Sequence, residues 1–269
     1  MCELLGMGSL LPTRVSLSLG LLAQRGNASR RLADGWGAGF HDGTDALVVR
    51  EPRDAASSSL IAPLRLSPPA SRFVIAHIRH ATQGDVSLRN TQPFQREIGG
   101  RAHVFAHNGN LQGARDRFGA SLHRFRPIGT TDSEIAFCAL LTALAPLWVD
   151  SVPTLEARLA VIAEMAEMLR GLGPANFLYT DGDALFAHAD RRTQSDGSIA
   201  PPGLTMLHRS CSVDVDALPE SGVDMQAAPG GQIVTLFASV PLTDEPWKPM
   251  ATGDIVAVRD GAIADMVRA

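Results

Sequence analysis

Residues 1 to 7 read Met1-Cys2-Glu3-Leu4-Leu5-Gly6-Met7. Cys2 to Met7 is a short apolar run that predicts a buried strand, with the cysteine at its first position. Once Met1 is removed, Cys2 carries a thiol and a free α-amino group on one residue. A thiolate is a strong nucleophile, and an α-amine with a reference pKa of about 8 is a base within reach of it. A cysteine at position 2 taken alone carries no chemistry, so corroboration has to come from further along the chain.

Outward from this strand, Thr13 reads as the cap of a helix running through Ala23 and stopping at Gly26. Gly35-Trp36-Gly37-Ala38-Gly39-Phe40 and Ala46 to Val49 predict a hairpin turning at Asp42-Gly43, with glycines where another backbone or a ligand comes close. Residues 51 to 70, rich in Pro, Ser and Ala, read as a surface excursion. Phe73 to Arg79 and Ala102 to His107 are apolar, β-branched runs that predict central strands. Thr131, Asp132, Ser133 and Glu134 open an almost uniformly apolar helix to Leu147, and Thr154 to Leu172 is an amphipathic helix ended by Gly171 and Gly173. Asn176 to Tyr179 and Ala184 to His188 flank an Asp181-Gly182 turn, and Gln232 to Ser239 and Ile255 to Val258 are further strands. Strands first, helices in the middle and strands after imply an α+β layered fold. One domain over residues 1–269 is expected, with 51–70 and 190–203 as the loose segments.

The chain has 269 residues, 45% of them hydrophobic, enough to bury a large core. A net charge of −4, a charged fraction of 19% and the lack of any basic run argue against nucleic acid as a partner. The three cysteines, Cys2, Cys138 and Cys211, are too few and too far apart for a disulfide framework, and no pair has metal-ligand spacing. Neither a metal nor another cofactor is expected. Glu3 stands where a secretory signal has a basic residue, and Pro12 and Arg14 interrupt the apolar run. No stretch is long and apolar enough for a membrane span. A soluble, cytoplasmic protein is expected.

Three polar clusters stand at strand ends or at a helix start: His77 to Gly84, Ala106-His107-Asn108-Gly109-Asn110, and Gly129-Thr130-Thr131-Asp132-Ser133-Glu134. Loops after buried strands are where sites are commonly built. His77 and His80 cannot share a metal from one strand, since residues three apart point to opposite faces; His77 and Arg79 share a face. Asn108-Gly109 reads either as a tight turn or, without a clear returning strand, as an amide and a Gly N–H aimed at one spot, the arrangement of an oxyanion hole. Asp132 reads as the N-cap of the helix that follows. Arg79 suits either a buried ion pair or a bidentate grip on a carboxylate. Arg79 and Asp132 together suit the two charged ends of an α-amino acid. Cys138 reads as a packed core residue, Cys211 has no obvious base nearby, and Trp36 and Trp247 read as packing.

Taken in order, Cys2 and these clusters resemble the class II glutamine amidotransferase domain of the N-terminal nucleophile hydrolases. Met1 to Met7, Asp34-Gly35-Trp36-Gly37, the Arg79 cluster, Asn90-Thr91-Gln92-Pro93-Phe94, His107-Asn108-Gly109, Thr131 to Glu134 and Glu245-Pro246-Trp247 look like its stand-alone bacterial, YafJ-like branch. The resemblance implies a four-layer αββα sandwich of two mainly antiparallel sheets. It implies Cys2 as nucleophile with its own amine as base, and Asn108 and Gly109 as the oxyanion hole. Arg79 and Asp132 would grip the α-carboxylate and α-amino group of glutamine, with Thr82 a further contact at the carboxylate end. Gln83 and Gln92 depart from the family's pattern. The implied reaction is attack on a γ-carboxamide, a γ-glutamyl thioester, and release of glutamate. The amine is either ammonia delivered to a separate acceptor protein or a larger leaving group from a glutathione-like or ergothioneine-precursor amide. A catalytically idle binding domain is the alternative from another class.

Overall fold

The computed structural model describes residues 2–15, 33–211 and 231–269. Its strands are β1 (Glu3–Arg14), β2 (Gly35–Asp42), β3 (Asp45–Glu51), β4 (Ala70–Arg79), β5 (Phe94–Ile98), β6 (Arg101–Gly109), β7 (Ala175–Thr180), β8 (Leu185–His188), β9 (Arg192–Thr193), β10 (Ile199–Ala200), β11 (Thr205–Cys211), β12 (Gln232–Ala238), β13 (Lys248–Pro249), β14 (Asp254–Arg259) and β15 (Ala262–Arg268). The helices are α1 (Ile61–Leu66), α2 (Ala114–Phe118), α3 (Asp132–Leu144) and α4 (Leu155–Arg170). One sheet runs β13-β11-β12-β1-β4-β2-β3 and the other β15-β14-β8-β7-β6-β5, with β9 and β10 as a separate small hairpin. β1 is antiparallel to both β4 and β12, so the strand that begins beside Cys2 is hydrogen-bonded on both sides.

Strand parity explains the layers. Leu4, Phe73, Ile75, Val104, Ala106 and Leu178 fill the space between the sheets. Their alternates on β1 and β4, Leu5, Met7, Val74, Ala76 and Ile78, face outward and pack with Ile61 and Leu64 of α1. On the other sheet Phe105 and Phe177 face α3 and α4. Gly6 and Gly8 lie on the inner face, where a Cβ would stand 3.0 Å from Leu178 and 2.6 Å from Val258. The absence of side chains there lets the sheets approach. Helix α3 has no polar face because it is covered by the sheet on one side and by α2 and α4 elsewhere.

Two expectations are corrected. Thr13 does not cap a helix; it lies in β1, which continues past Pro12 through a register shift between Gly8 and Thr13. A proline is tolerated in a strand at such an irregularity. The remainder of the expected helix, to Ala23 and Gly26, lies outside the described residues. The cap of α3 is Thr131, whose Oγ1 accepts the Glu134 N–H at 3.3 Å, while Asp132 is the first helical residue and is free to point elsewhere. Residues 51–70 are a surface excursion as expected, with the short α1 within it. Segment 190–203 is less loose than its composition suggests, since it carries the β9–β10 hairpin and the buried Arg192. Trp36 is fully buried and Trp247 partly so in the same outer cluster, as packing requires.

Four buried histidines make the fold acid-sensitive. Burial above all holds His77 down to about 3 and His41, His103 and His188 down to about 4. Unfolded imidazoles titrate near 6.5, so below that pH the unfolded chain takes up protons that the fold refuses. The stability these neutral rings contribute is complete above the unfolded value and is lost as the pH falls towards 4. Urea unfolding at about pH 7 and about pH 5 is expected to show a loss of several kcal/mol at the lower pH. Equal midpoints at both would mean that these rings are charged in the folded protein.

Candidate active site

The same parity that builds the inner core delivers the site. Cys2 continues the series of Leu4, Gly6 and Gly8, Arg79 that of Phe73, Ile75 and His77, and Asn108 that of Val104 and Ala106. All three therefore stand at one end of the sandwich on the facing sides of the two sheets. The odd members of β6 face the helices, and His107 accordingly meets Ser133 of α3, Nδ1 to Oγ, at 2.9 Å.

Cys2 is half-buried at the mouth of a cavity of about 210 Å³ that Thr82, Asn108 and Gly109 also line. Its Sγ accepts the His80 N–H at 3.3 Å and lies 3.4 Å from the His80 carbonyl. Burial pushes the thiol up from its ordinary value, and the His80 N–H pulls it back in part. Asn108 donates from Nδ2 to the Cys2 carbonyl at 2.6 Å and, more weakly, to Ser239 Oγ at 3.4 Å. Ser239 Oγ also accepts the Leu4 N–H at 3.0 Å, so one hydroxyl ties β1 to the Asn108 amide.

A smaller hollow of about 20 Å³ continues from Cys2 and is lined by Arg79, Thr82, Gly109 and Asp132. The loop after β4 is drawn in over it. Arg79 donates to the carbonyls of Gln83, Gly84 and Asp85 at 2.9, 3.2 and 3.0 Å and forms no ion pair among the described residues. Gln83 reaches across to Asn110, Oδ1 accepting from Nε2. Asp34 holds the loop's base by accepting the Ala81 N–H at 2.8 Å. Asp132 accepts the Leu111 N–H at 2.7 Å on one oxygen and the Ser133 N–H at 2.9 Å on the other, which anchors the carboxylate and leaves lone pairs for an ammonium. All six residues marked in the sequence are thus gathered around two adjoining hollows. Among the described residues no group of three His, Cys, Asp or Glu side chains is arranged to hold a metal.

Sequence reasoning missed the supports. Gln92 clamps the β6 end by donating to the His107 carbonyl at 3.1 Å and accepting the His107 N–H at 2.6 Å. It crosses the glycine-rich β2, where a Cβ on Gly37 would stand 2.3 Å from the Gln92 carbonyl oxygen. Asn90 ties the β4 loop to the α3 entry, donating to Asp85 at 2.7 Å and accepting the Thr130 N–H at 2.8 Å. Arg192 pairs with the buried Glu3 at 2.8 Å and donates to the Ser239 carbonyl at 2.7 Å. Burial still pushes the Glu3 carboxyl up to about 7, against the pull of Arg192. A charged residue inside the apolar run after Cys2 was the signal for such a partner, because a buried carboxylate has to be paired.

Gly109 has no room for a side chain, since a Cβ would sit 1.7 Å from the Pro174 carbonyl oxygen. Gly109→Ala is expected to push β6 and the 173–174 turn apart and to lower the melting temperature by roughly 5 °C or more. A wild-type melting curve would show that the turn yields freely.

A family model for the class-II glutamine amidotransferases matches residues 1–269. The chain is 35% identical over 256 residues to the Escherichia coli (strain K12) protein named "Putative glutamine amidotransferase YafJ", covering 94% of this chain and 96% of that one. It is similar to the solved structure of a "predicted glutamine amidotransferase from Pseudomonas aeruginosa PA01", at 32% identity and a TM-score of 0.70, over 98% of this chain and 100% of that one. The Bacillus subtilis glutamine phosphoribosylpyrophosphate amidotransferase shares the fold, with a TM-score of 0.60 at 15% identity, over 99% of this chain and 49% of that one. Two antiparallel sheets between helices, with a cysteine heading a central strand at the cavity, mark an amide-hydrolysing enzyme. The chain belongs to the class-II glutamine amidotransferase family. No helix among the described residues is long and apolar enough to cross a membrane.

Proposed function

We propose that residues 1–269 act as one domain that hydrolyses a γ-glutamyl amide through a thioester on Cys2. The observation that carries this reading is the convergence of Cys2, Asn108 and Gly109 on one cavity, adjoined by a hollow with Arg79 and Asp132 on its wall. With Met1 removed, the Cys2 amine takes the thiol proton as Sγ attacks the γ-carbonyl. Asn108 Nδ2 and the Gly109 N–H receive the oxyanion. The amine leaves with the proton, and water then releases glutamate. Asp132 holds the substrate ammonium, and Thr82 contacts the carboxylate end. For Arg79 to grip the carboxylate, the carbonyls of residues 83–85 give up its guanidinium as the loop opens. Free glutamine as substrate, with ammonia passed to a separate acceptor protein, fits this chemistry.

A second reading is favoured by the larger cavity. It extends beyond Asn108 to Leu172, Pro174 and Ile199, an apolar wall that ammonia does not need. A γ-glutamyl compound with a bulky leaving group would fill it. Glutamate release from glutamine and from a panel of larger γ-glutamyl amides, by protein whose intact mass shows Met1 absent, separates the two. Release from none of them would sink both.

A further inference from the structure

The end of the sandwich away from Cys2 holds a second and larger cavity, of about 400 Å³. It lies between the β2–β3 turn, the starts of β4 and β6, and the β7–β8 turn. Phe73 on its wall is roughly 20 Å from Arg79 along β4, at about 3.3 Å per residue, so the two cavities are separate. Its volume lies in the small-ligand range of roughly 300 to 1,000 Å³.

Its polar lining is unspent. His41 is 5% exposed, and neither ring nitrogen has a hydrogen-bond partner among the described residues. A neutral imidazole offers one N–H and one lone pair, and a buried donor left unmatched is costly. Arg101 donates from Nε to the Asp181 carbonyl at 3.1 Å and makes no ion pair among the described residues, which leaves the outer edge of its fork. Arg72 pairs with Asp260, while its buried Nε has no partner. At the point where Gly182 would carry a Cβ, His41 Nδ1 is 3.0 Å away, the Gly43 carbonyl oxygen 3.1 Å and Arg101 Nη2 3.3 Å. A φ of 78° at Gly182 keeps that point clear of any side chain. Of the nearby carboxylates, Asp181 is committed to Arg158 and Asp183 to Arg158 and Arg259, which leaves Asp42 and Asp45, both exposed to solvent on the β2–β3 turn.

We propose that this cavity is a second small-molecule site that takes an oxyanion, a carboxylate or phosphate group, on the Nη1–Nη2 edge of Arg101 with a His41 ring nitrogen as further donor. A planar fork matched to two oxygens is the strong form of this contact. The test is calorimetric titration of the intact protein with inorganic phosphate and, separately, with succinate, at an ionic strength held constant with chloride. Calorimetry is preferred because phosphate raises melting temperatures without binding at a site. One saturable site per chain is expected for at least one anion, and the stronger arm identifies the group. Arg101→Met and His41→Phe are each expected to weaken that binding about tenfold or more, with glutamate release in buffer without added phosphate or succinate unchanged. His41→Phe keeps the ring and removes two unmatched polar atoms, so it is expected to fold at least as stably as wild type. No saturable heat with either anion, or wild-type affinity in both variants, overturns the proposal.

Discussion

Cys2→Ala is expected to abolish glutamate release, by about a thousandfold or more in kcat/KM, with the melting temperature unchanged. The expectation rests on the lack of a substitute. Cys138 is fully buried in α3, its thiol pushed up to about 11 by that burial, and it opens on neither hollow of the site. Cys211 ends β11 opposite Gln232, whereas it is Thr205, at the other end of that strand, that pairs with Ala238 beside Leu5, so position 211 lies at the far end of the sheet from Cys2. Cys2 itself is not a ready thiolate, because burial raises it and the His80 N–H recovers only part of the shift. Its reactivity therefore depends on a base, and labelling by a glutamine-like diazoketone is expected to rise with pH as the α-amine loses its proton near its reference value of about 8. Peptide mapping should find the label on Cys2 alone. Label on Cys138 or Cys211, or full activity in Cys2→Ala, would remove Cys2 from the reaction.

Asn108→Ala is expected to lower kcat by about a hundredfold or more, the usual cost of one oxyanion donor. Asn108 also holds the Cys2 carbonyl at 2.6 Å, so a loss of activity alone would not separate stabilisation of the oxyanion from anchoring of the strand. The kinetic pattern separates them. A group that acts on charge developing in the transition state lowers kcat and leaves KM nearly unchanged. A group that only anchors Cys2 would lower the melting temperature as well, and Ser239→Ala would then reproduce part of the defect, since Ser239 Oγ contacts both Asn108 and the Leu4 N–H. Wild-type kcat in Asn108→Ala would exclude the oxyanion role.

Much of the site is legible because strand parity is simple. Once Leu4, Ile75 and Val104 are taken as inward-facing, Cys2, Arg79 and Asn108 follow onto the same inner face by counting in twos. Helix α3 announced its burial by lacking a polar face. Two local signals misled. Thr13 looked like a helix cap because threonine is a good cap, and the irregularity that carries β1 past Pro12 has no signature of its own. Asp132 looked like a cap because Thr131 and Asp132 are both good caps, and only the backbone decides which of two neighbours takes the role. Glu3 signalled that a partner was needed and Gln92 stood out from the family's pattern, but what Arg192, Ser239 and Gln92 each touch was beyond local reading. Their partners lie far away in the chain, and which residues meet is set by the register of whole strands.

The placement of β1 has a consequence for how the protein is made. Leu4 and Ser239, which share a hydrogen bond, are 235 positions apart, and β1 gains its second neighbour only with residues 232–238. A ribosome adds roughly 5 to 20 residues each second, so β1 waits on the order of ten seconds or more for β12. During that wait its apolar face and one unpaired edge are open to mispairing, and a nascent chain stalled before β12 would bear the cysteine without the Ser239 contact that steadies Asn108. The end of the sandwich that holds Cys2 is therefore among the last parts to be assembled, although Cys2 is among the first residues synthesised.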